Sequence, residues 1–499
     1  MWLQERNLKF MWILNMNRLP ITAVICLFFT VPVYAQQPLS LQECIDLAMG
    51  RNLQHQRNEQ TLAASRASLE SAQAPFAFNI DANFTAPAFT EVRDTQESVA
   101  LATRVRDEST NFTYNGNLRM SRRLPYFGAI QVTTSGERRD FSSNRRNDFL
   151  DFSGDMRLSY EHDVLNRPSE EVGLQRAEHN FANARLNFEQ QGLQLEGQVI
   201  DDYYTLVQRL RQLEIQKQRL ELSRANLELA QRKFEVGLIA EVEALRLQVE
   251  LLQAESSFAQ AETAIESQRD QLRQTLGINP EDALDISTEV ENKLYSINAQ
   301  EAMRLGLQKR TDMLQTEISE KLRRLDLEDA NRRNGINATL NANISLRGRG
   351  EEIGDISSTL ERNQWGIGIQ VTMPLIDSGA RRSSINQARI ALVQSKLTHE
   401  LQRQQVVRQV RDAIRNIKEA ERQIGIRQAG LKVAKRTYEI EQSRFELGLA
   451  KSQDLLNAQN QLTQSRIDEL GAIIDYQRRL KDLRLATMAD LSKFANAIE

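Results

Sequence analysis

The sequence predicts a mainly α-helical chain built from long coiled-coil hairpins, with a smaller set of β-strands suited to a transmembrane barrel. Three observations predict it. Val199, Leu206, Leu213, Leu220, Leu227 and Phe234 recur every seven residues, and 211 residues later Val410, Ile417, Ile424, Leu431, Tyr438 and Phe445 do the same. Seven-residue spacing keeps one apolar seam facing a neighbouring helix. The octapeptide QRKFEVGL (231–238) returns as QSRFELGL (442–449) at that same offset. Between the helical spans lie runs that alternate apolar and polar residues with period two, the pattern of a strand with two different faces.

Composition supports long helices. Aromatic residues make up 6% of the 499, charged residues 26%. None of the nine prolines falls between Pro168 and Pro280, between Pro280 and Pro374, or after Pro374. Proline removes a helix donor and clashes with the preceding turn, so its absence permits uninterrupted helices.

At the N-terminus, Arg18 precedes the apolar run ITAVICLFFTVPV (21–33), and VYA ends at Ala35. This is the form of a secretory signal over residues 1–35, with Met16 as a natural start. The run is too short to span a bilayer as a helix. Beyond it the only cysteine is Cys44, which excludes an intrachain disulfide. Without residues 1–35 the chain holds 61 basic and 66 acidic residues, a net charge of −5, and nothing suggests nucleic acid as a partner. No later run has membrane-helix length, so insertion must use β-strands.

The chain reads as two structural repeats. The first, 36–295, has a helix over 40–74, strands within 76–162, a long helix over 169–235, a bend over 236–242, a helix over 243–277 and a connecting segment over 278–295. The second, 296–499, has a helix over 298–333, strands over 338–347 and 364–373, a long helix over 379–446, a bend over 447–452 and a helix over 453–490. LQECIDLAMGRN (41–52) matches AQEAMRLGLQKR (299–310) at an offset of 258. Gly237 and Gly448 just past the long helices are expected left-handed terminators, and Ser452 is placed to cap the next helix.

Among the strands, Phe76, Phe78, Ile80, Ala82 and Phe84 alternate with small or polar residues, as do Leu340, Ala342, Ile344 and Leu346, and Trp365, Ile367, Ile369, Val371 and Met373. Such strands suit a barrel with lipid outside and water inside. The charged stretches 91–108, 136–148 and 347–352 are expected as loops beyond the barrel rim, because they cannot sit in hydrocarbon. Residues 111–140 read as two further strands around a turn at Pro125–Gly128. Either each protomer gives six strands to a wider barrel, or this pair extends outside the membrane.

With its paired bends KFEVGL and RFELGL and the junction VTMPLIDSGARRSSINQA (371–388), the chain resembles the outer-membrane efflux channel family typified by TolC. The resemblance implies a homotrimer, one shared β-barrel in outer-membrane lipid, and an α-helical barrel reaching into the periplasm of a Gram-negative bacterium. It implies docking by a periplasmic adaptor and coupling to an inner-membrane transporter of RND, ABC or MFS type. Multidrug efflux and type I secretion are the associated roles, with no enzyme activity, cofactor or metal.

The resemblance also places a gate at the bends. The family's acidic aperture positions fall at Asp454 and Asn457, so one acid of two is missing. The inter-protomer arginine falls at Ala450 and its acidic partner at Glu243, so that lock is absent or remade with Lys451. Phe234, Gly237, Leu238, Ile239, Phe445, Gly448 and Leu449 form the expected docking set, although the heptad register equally makes both phenylalanines the last seam residues of their own helices. Two rival readings are a periplasmic adaptor subunit, which would lack membrane-length strands, and a secreted coiled-coil protein, which would lack the glycine-marked bends. His55, His162, His179 and His399 show no metal-ligand spacing.

Overall fold

Two proline-free, heptad-patterned spans each run as one continuous helix. In the computed structural model, residues 38–98, 103–144, 147–166, 168–290, 293–333 and 335–497 are described. The expected signal sequence and its start at Met16 lie outside them. The order is α1 (Leu41–Arg51), α2 (Leu53–Gln73), β1 (Asn79–Ser98), β2 (Thr103–Leu124), β3 (Gly128–Ser143), β4 (Phe149–Asp163), α3 (Ser169–Glu235), α4 (Glu241–Leu276), β5 (Tyr295–Ile297), α5 (Ala299–Lys309), α6 (Thr311–Arg333), β6 (Asn337–Gly350), α7 (Asp355–Ser358), β7 (Glu361–Thr372), α8 (Ala380–Glu446), α9 (Ser452–Thr487) and β8 (Ala495–Ala497). At 67 residues each, α3 and α8 are about 100 Å long. Their heptad residues Val199, Leu206 and Leu220, and Val410, Ile417, Ile424, Tyr438 and Phe445, are buried. Among the described residues no helix is long and apolar enough to cross a membrane.

The helices expected over 40–74 and 298–333 are each broken in two. Asn52 leaves the helical region (ψ 124°) between α1 and α2, and Arg310 does so between α5 and α6 (ψ 128°). The two break points are separated by the offset of 258 read from the sequence. The cause is tertiary. The Asn52 side chain accepts from His55 N at 3.0 Å and donates to Thr275 O at 2.9 Å. Arg310 donates to Gln409 and to Ala486 O at 2.7 and 3.3 Å. Each break trades a helical hydrogen bond for contacts to distant helices.

Six strands form one antiparallel sheet in the order β1-β2-β3-β4-β6-β7, while β5 pairs with β8. Residues 111–140 lie within the β2–β3 hairpin, whose strands are paired on both sides. Directly opposed residues share a face. One such row reads Ile80, Met120, Val132, Leu158, Ile344 and Trp365 across all six strands. The adjacent row, on the other face, reads Asp81, Arg119, Thr133, Arg157, Ser345 and Gln364. An entirely apolar row beside an entirely polar one is the pattern of a wall between lipid and water.

The charged stretches expected as loops are largely strand. β1 and β2 remain paired through Arg93 and Glu108, whose side chains approach to 4.0 Å, and Arg106 meets Glu108 at 2.8 Å. β6 runs on to Gly350, with Arg347 at 3.2 Å from Asp155 and Arg349 at 3.6 Å from Asp151. Charge excludes these residues from hydrocarbon but not from a ladder, because opposite charges meet across or along the strands. At the helix-side end the connections are short. Tyr126 (φ 63°) and Gly128 (φ 83°) make the β2–β3 turn. The turn is tied to the start of α3 by Tyr126 N donating to Glu171 at 2.7 Å and by Arg123 pairing with Glu170 at 2.9 Å.

Gly277 ends α4 at φ 71°, where an added Cβ would lie 2.5 Å from Arg51 O at the α1–α2 break. Gly277→Ala combines a left-handed penalty of about 1–2 kcal/mol with a clash against backbone. We expect a lower melting midpoint in detergent, read by circular dichroism; an unchanged midpoint would show that the junction accommodates the methyl group.

Candidate functional site: the paired helix bends

Both bends are made the same way. Gly237 and Gly448 each adopt φ 77°. Leu238 N reaches back to Lys233 O and Leu449 N to Arg444 O, each at 2.8 Å. These six-to-one bonds satisfy helix-end carbonyls that otherwise have no partner. The turns then expose apolar side chains: Val236 is 69% exposed, Leu238 71%, Leu447 74% and Leu449 69%.

Phe445 does not belong to this exposed set. It is 1% exposed and sits in the core at the bends with Tyr438, Leu247, Leu455 and Leu462. Its place as the last seam residue of α8 turns it inward, so it is removed from the docking residues. Phe234 is partly exposed, while Ile239 and Ala450 pack half-buried against the same core. Val236 and Leu447, absent from the expected docking set, are presented as openly as Leu238 and Leu449.

The two hairpins, α3–α4 and α8–α9, are joined at their tips by charged side chains placed on helix ends. Lys233, buried near the end of α3, donates to Phe445 O and, at 2.8 Å, to Glu446 O. Its ammonium also lies 5.1 Å from the centre of the Phe445 ring. These carbonyls form the negative end of the α8 dipole, where a cation is stabilising. Glu243, in the first turn of α4, accepts from Ser452 N at 3.1 Å and from the Ser452 hydroxyl. It thereby serves the positive end of α9, and Arg246 flanks it at 3.3 Å. The Ser452 hydroxyl bond, with the Ser452 amide and the Arg246 and Lys451 charges, holds the Glu243 carboxyl below its usual range against the desolvation of burial.

Ser452, expected to cap α9, is instead its first residue, and its hydroxyl donates to Glu243. The α9 entry is closed by Asp454, which accepts from Lys451 N at 3.3 Å. Asp454 and Asn457 are exposed on α9, and Asn457 accepts from Gln453 at 3.0 Å. Glu243 therefore meets Ser452 of its own chain, with the Lys451 charge acting on it as well.

About two turns deeper, a buried polar cluster joins α3 to α9. Asn226 donates to Gln459, and Gln459 donates to Ser223, both at 2.8 Å. Beside it, Arg219 and Glu250 pair at 2.7 Å between α3 and α4. Sequence reasoning missed Lys233 and Gln459. A lysine in the last turn of α3 reads as a partner of its own helix end; it serves α8 because the hairpins lie side by side.

The outer helices present unmatched seams. Val242, Leu245, Val249 and Leu252 are exposed along α4, and Ile426, Val433, Ile440 and Leu447 along α8. Between them α3 packs on α4 and α9, and α9 on α8. The four helices thus form a layer with apolar residues on both free edges, as β1 and β7 are the free edges of the sheet.

Residues 303–487 match the outer membrane efflux protein family. The solved structure of CusC is 14% identical, with 90% of this chain and 91% of that chain covered at a TM-score of 0.68. The Campylobacter jejuni CmeC outer membrane channel is 15% identical over 91% and 88%, at 0.65. The Vibrio cholerae outer membrane protein VceC is 15% identical over 90% and 95%, at 0.64. No curated protein sequence matches the chain. At such identities the structural likeness is one of fold, and the four strands of the first half lie outside the matched family segment. Residues 303–487 thus match an outer membrane efflux protein domain, in a chain that shares its fold with the CusC and CmeC structures over nine-tenths of its length.

Proposed function

We propose that the protein is a passive outer-membrane channel of an efflux or secretion system, trimeric and extending into the periplasm. The observation that carries this reading is the pair of free edges: a sheet with one apolar face, open at β1 and β7, above a helical layer open at α4 and α8. Open strand edges in hydrocarbon leave backbone groups unpaired at several kcal/mol each, and exposed heptad seams call for neighbours. Copies of the same chain satisfy both demands by closing a β-barrel and an α-barrel together. Membrane fractionation tests the reading: heat-modifiable trimers in the outer membrane are expected, and soluble monomer would overturn it.

At the periplasmic mouth, Val236, Leu238, Leu447 and Leu449 offer an apolar surface to an adaptor, which would link the channel to an inner-membrane pump of RND, ABC or MFS type. The gate in this reading is the tip clasp. Lys233 and Glu243 hold the α8–α9 hairpin against α3–α4, and an opening that separates the hairpins must break both contacts. Asp454, exposed near the aperture in each of three copies, would attract cations.

Lys233→Met removes a charge–helix-end contact worth up to about 2 kcal/mol. We expect an open-to-closed ratio in planar bilayers raised roughly tenfold, 1.4 kcal/mol being one decade; an unchanged ratio would remove Lys233 from the gate.

The Glu243 contact carries a pH signature. A carboxyl held low in the clasped state stabilises that state above the ordinary value of 4.5 and ceases to do so as pH falls through its lowered pKa. Conductance should therefore rise only below about pH 4.5, and Glu243→Gln should raise it at neutral pH and flatten the profile. A profile identical to that of the unaltered protein would exclude Glu243.

Asp454→Asn should lower cation selectivity, read as a reversal potential moving toward zero in a salt gradient. An unmoved potential would take Asp454 out of the aperture.

A further inference from the structure

The six-stranded sheet decides how wide the outer-membrane part of the conduit is. β2 and β3 are interior strands, so they cannot leave the wall without separating β1 from β4. They carry the same alternation as their neighbours: Met120 and Val132 lie in the all-apolar row, Arg119 and Thr133 in the all-polar one. A second feature runs through them. Gly116, Gly136, Gly154 and Gly348 are direct partners across β2, β3, β4 and β6. Glycines in strand interiors mark bends and close approaches. Here an added Cβ at Gly116 would lie 2.8 Å from Phe84, one at Gly154 2.6 Å from Ile356, and one at Gly348 2.1 Å from the Ile356 carbonyl oxygen. The glycine row crosses strands of both halves, which ties them into one sheet.

The strand directions are also consistent with closure. With six strands alternating in direction, β1 and β7 run oppositely, so β7 of one copy meets β1 of the next as an antiparallel pair. Both edges expose apolar residues, Ile80 and Phe84 on β1, and Trp365, Ile367, Ile369 and Val371 on β7.

Resting on the trimeric channel reading, we propose that β1 pairs with β7 of a second copy, so that three copies of six strands close an eighteen-stranded barrel. Strand spacing of ~4.8 Å and a tilt of ~40° give about 35 Å between opposite backbones. Barrels of this strand number leave an aqueous channel. The polar face, with Asp81, Arg119, Arg157 and Gln364 on one row, lines it.

Disulfide scanning tests the seam. Opposed antiparallel residues have Cα atoms about 4.5–5.5 Å apart, within disulfide reach. In a Cys26→Ser background, each of Asn79→Cys, Asp81→Cys and Asn83→Cys is combined with each of Gln364→Cys, Gly366→Cys, Gly368→Cys and Gln370→Cys. Cys44 is buried and its thiol is pushed up to about 12 by desolvation, so it stays silent. Covalent trimers in at least one combination are expected. Heat-modifiable trimers without any covalent product overturn the six-strand seam and leave the channel reading standing, whereas absence of trimers overturns that reading itself.

Discussion

A strand edge in hydrocarbon has no water to bond, and the organisation of this chain follows from that constraint. The sheet has one apolar face across six strands, yet both its edges are open within one chain. Under the channel reading, other copies close the wall, and once copies are arranged around an axis the helices beneath must follow the same rotation. In that arrangement the exposed seams on α4 and α8 would face neighbours. The tie between Glu170, Glu171 and the β2–β3 turn couples the two layers, since it fixes the start of a 67-residue helix to the rim of the sheet.

What was legible in the sequence was what depends on near neighbours. Seven-residue spacing is a local property, and most of the seam it marks is buried, from Val199 to Leu220 and from Val410 to Phe445, although Phe234 at the tip of α3 is exposed. Glycine at a helix end is likewise local, and Gly237 and Gly448 are both left-handed. The paired strand faces were visible for the same reason. What stayed hidden depends on partners far away in the chain. Asn52 breaks a helix because Thr275 O, 223 positions on, accepts from it. The stretch 91–108 looked like a loop because its charges were read one by one, whereas Arg93, Arg106 and Glu108 lie close together once β1 and β2 are paired.

The candidate site shows the same division. The apolar tip was anticipated from Leu238 and Leu449, and the heptad register already offered Phe445 as the last seam residue of α8, where it is buried. The reach of Lys233 to the other hairpin was not anticipated, because it depends on carbonyls more than 200 positions away. The offset of 211 pairs Lys233 with Arg444, and the two residues do different things: Lys233 caps a foreign helix, and Arg444 pairs with Glu441 of its own at 2.8 Å.

That difference gives the hairpins unequal parts. Both charged side chains of the clasp, Lys233 and Glu243, come from α3–α4, and both helix ends they serve belong to α8–α9. A helix end cannot supply its own counter-charge from the other hairpin, so α8–α9 depends on α3–α4 and no contact of this kind runs the other way among the described residues. The buried Asn226–Gln459–Ser223 cluster lies about two turns deeper and is neutral. Separating it would leave polar groups unpaired in a packed interior, whereas the charged tip groups meet water as they part. Under the channel reading, the hairpins therefore separate from the tip upward, with α8–α9 as the member released and the neutral cluster as the point where the opening stops.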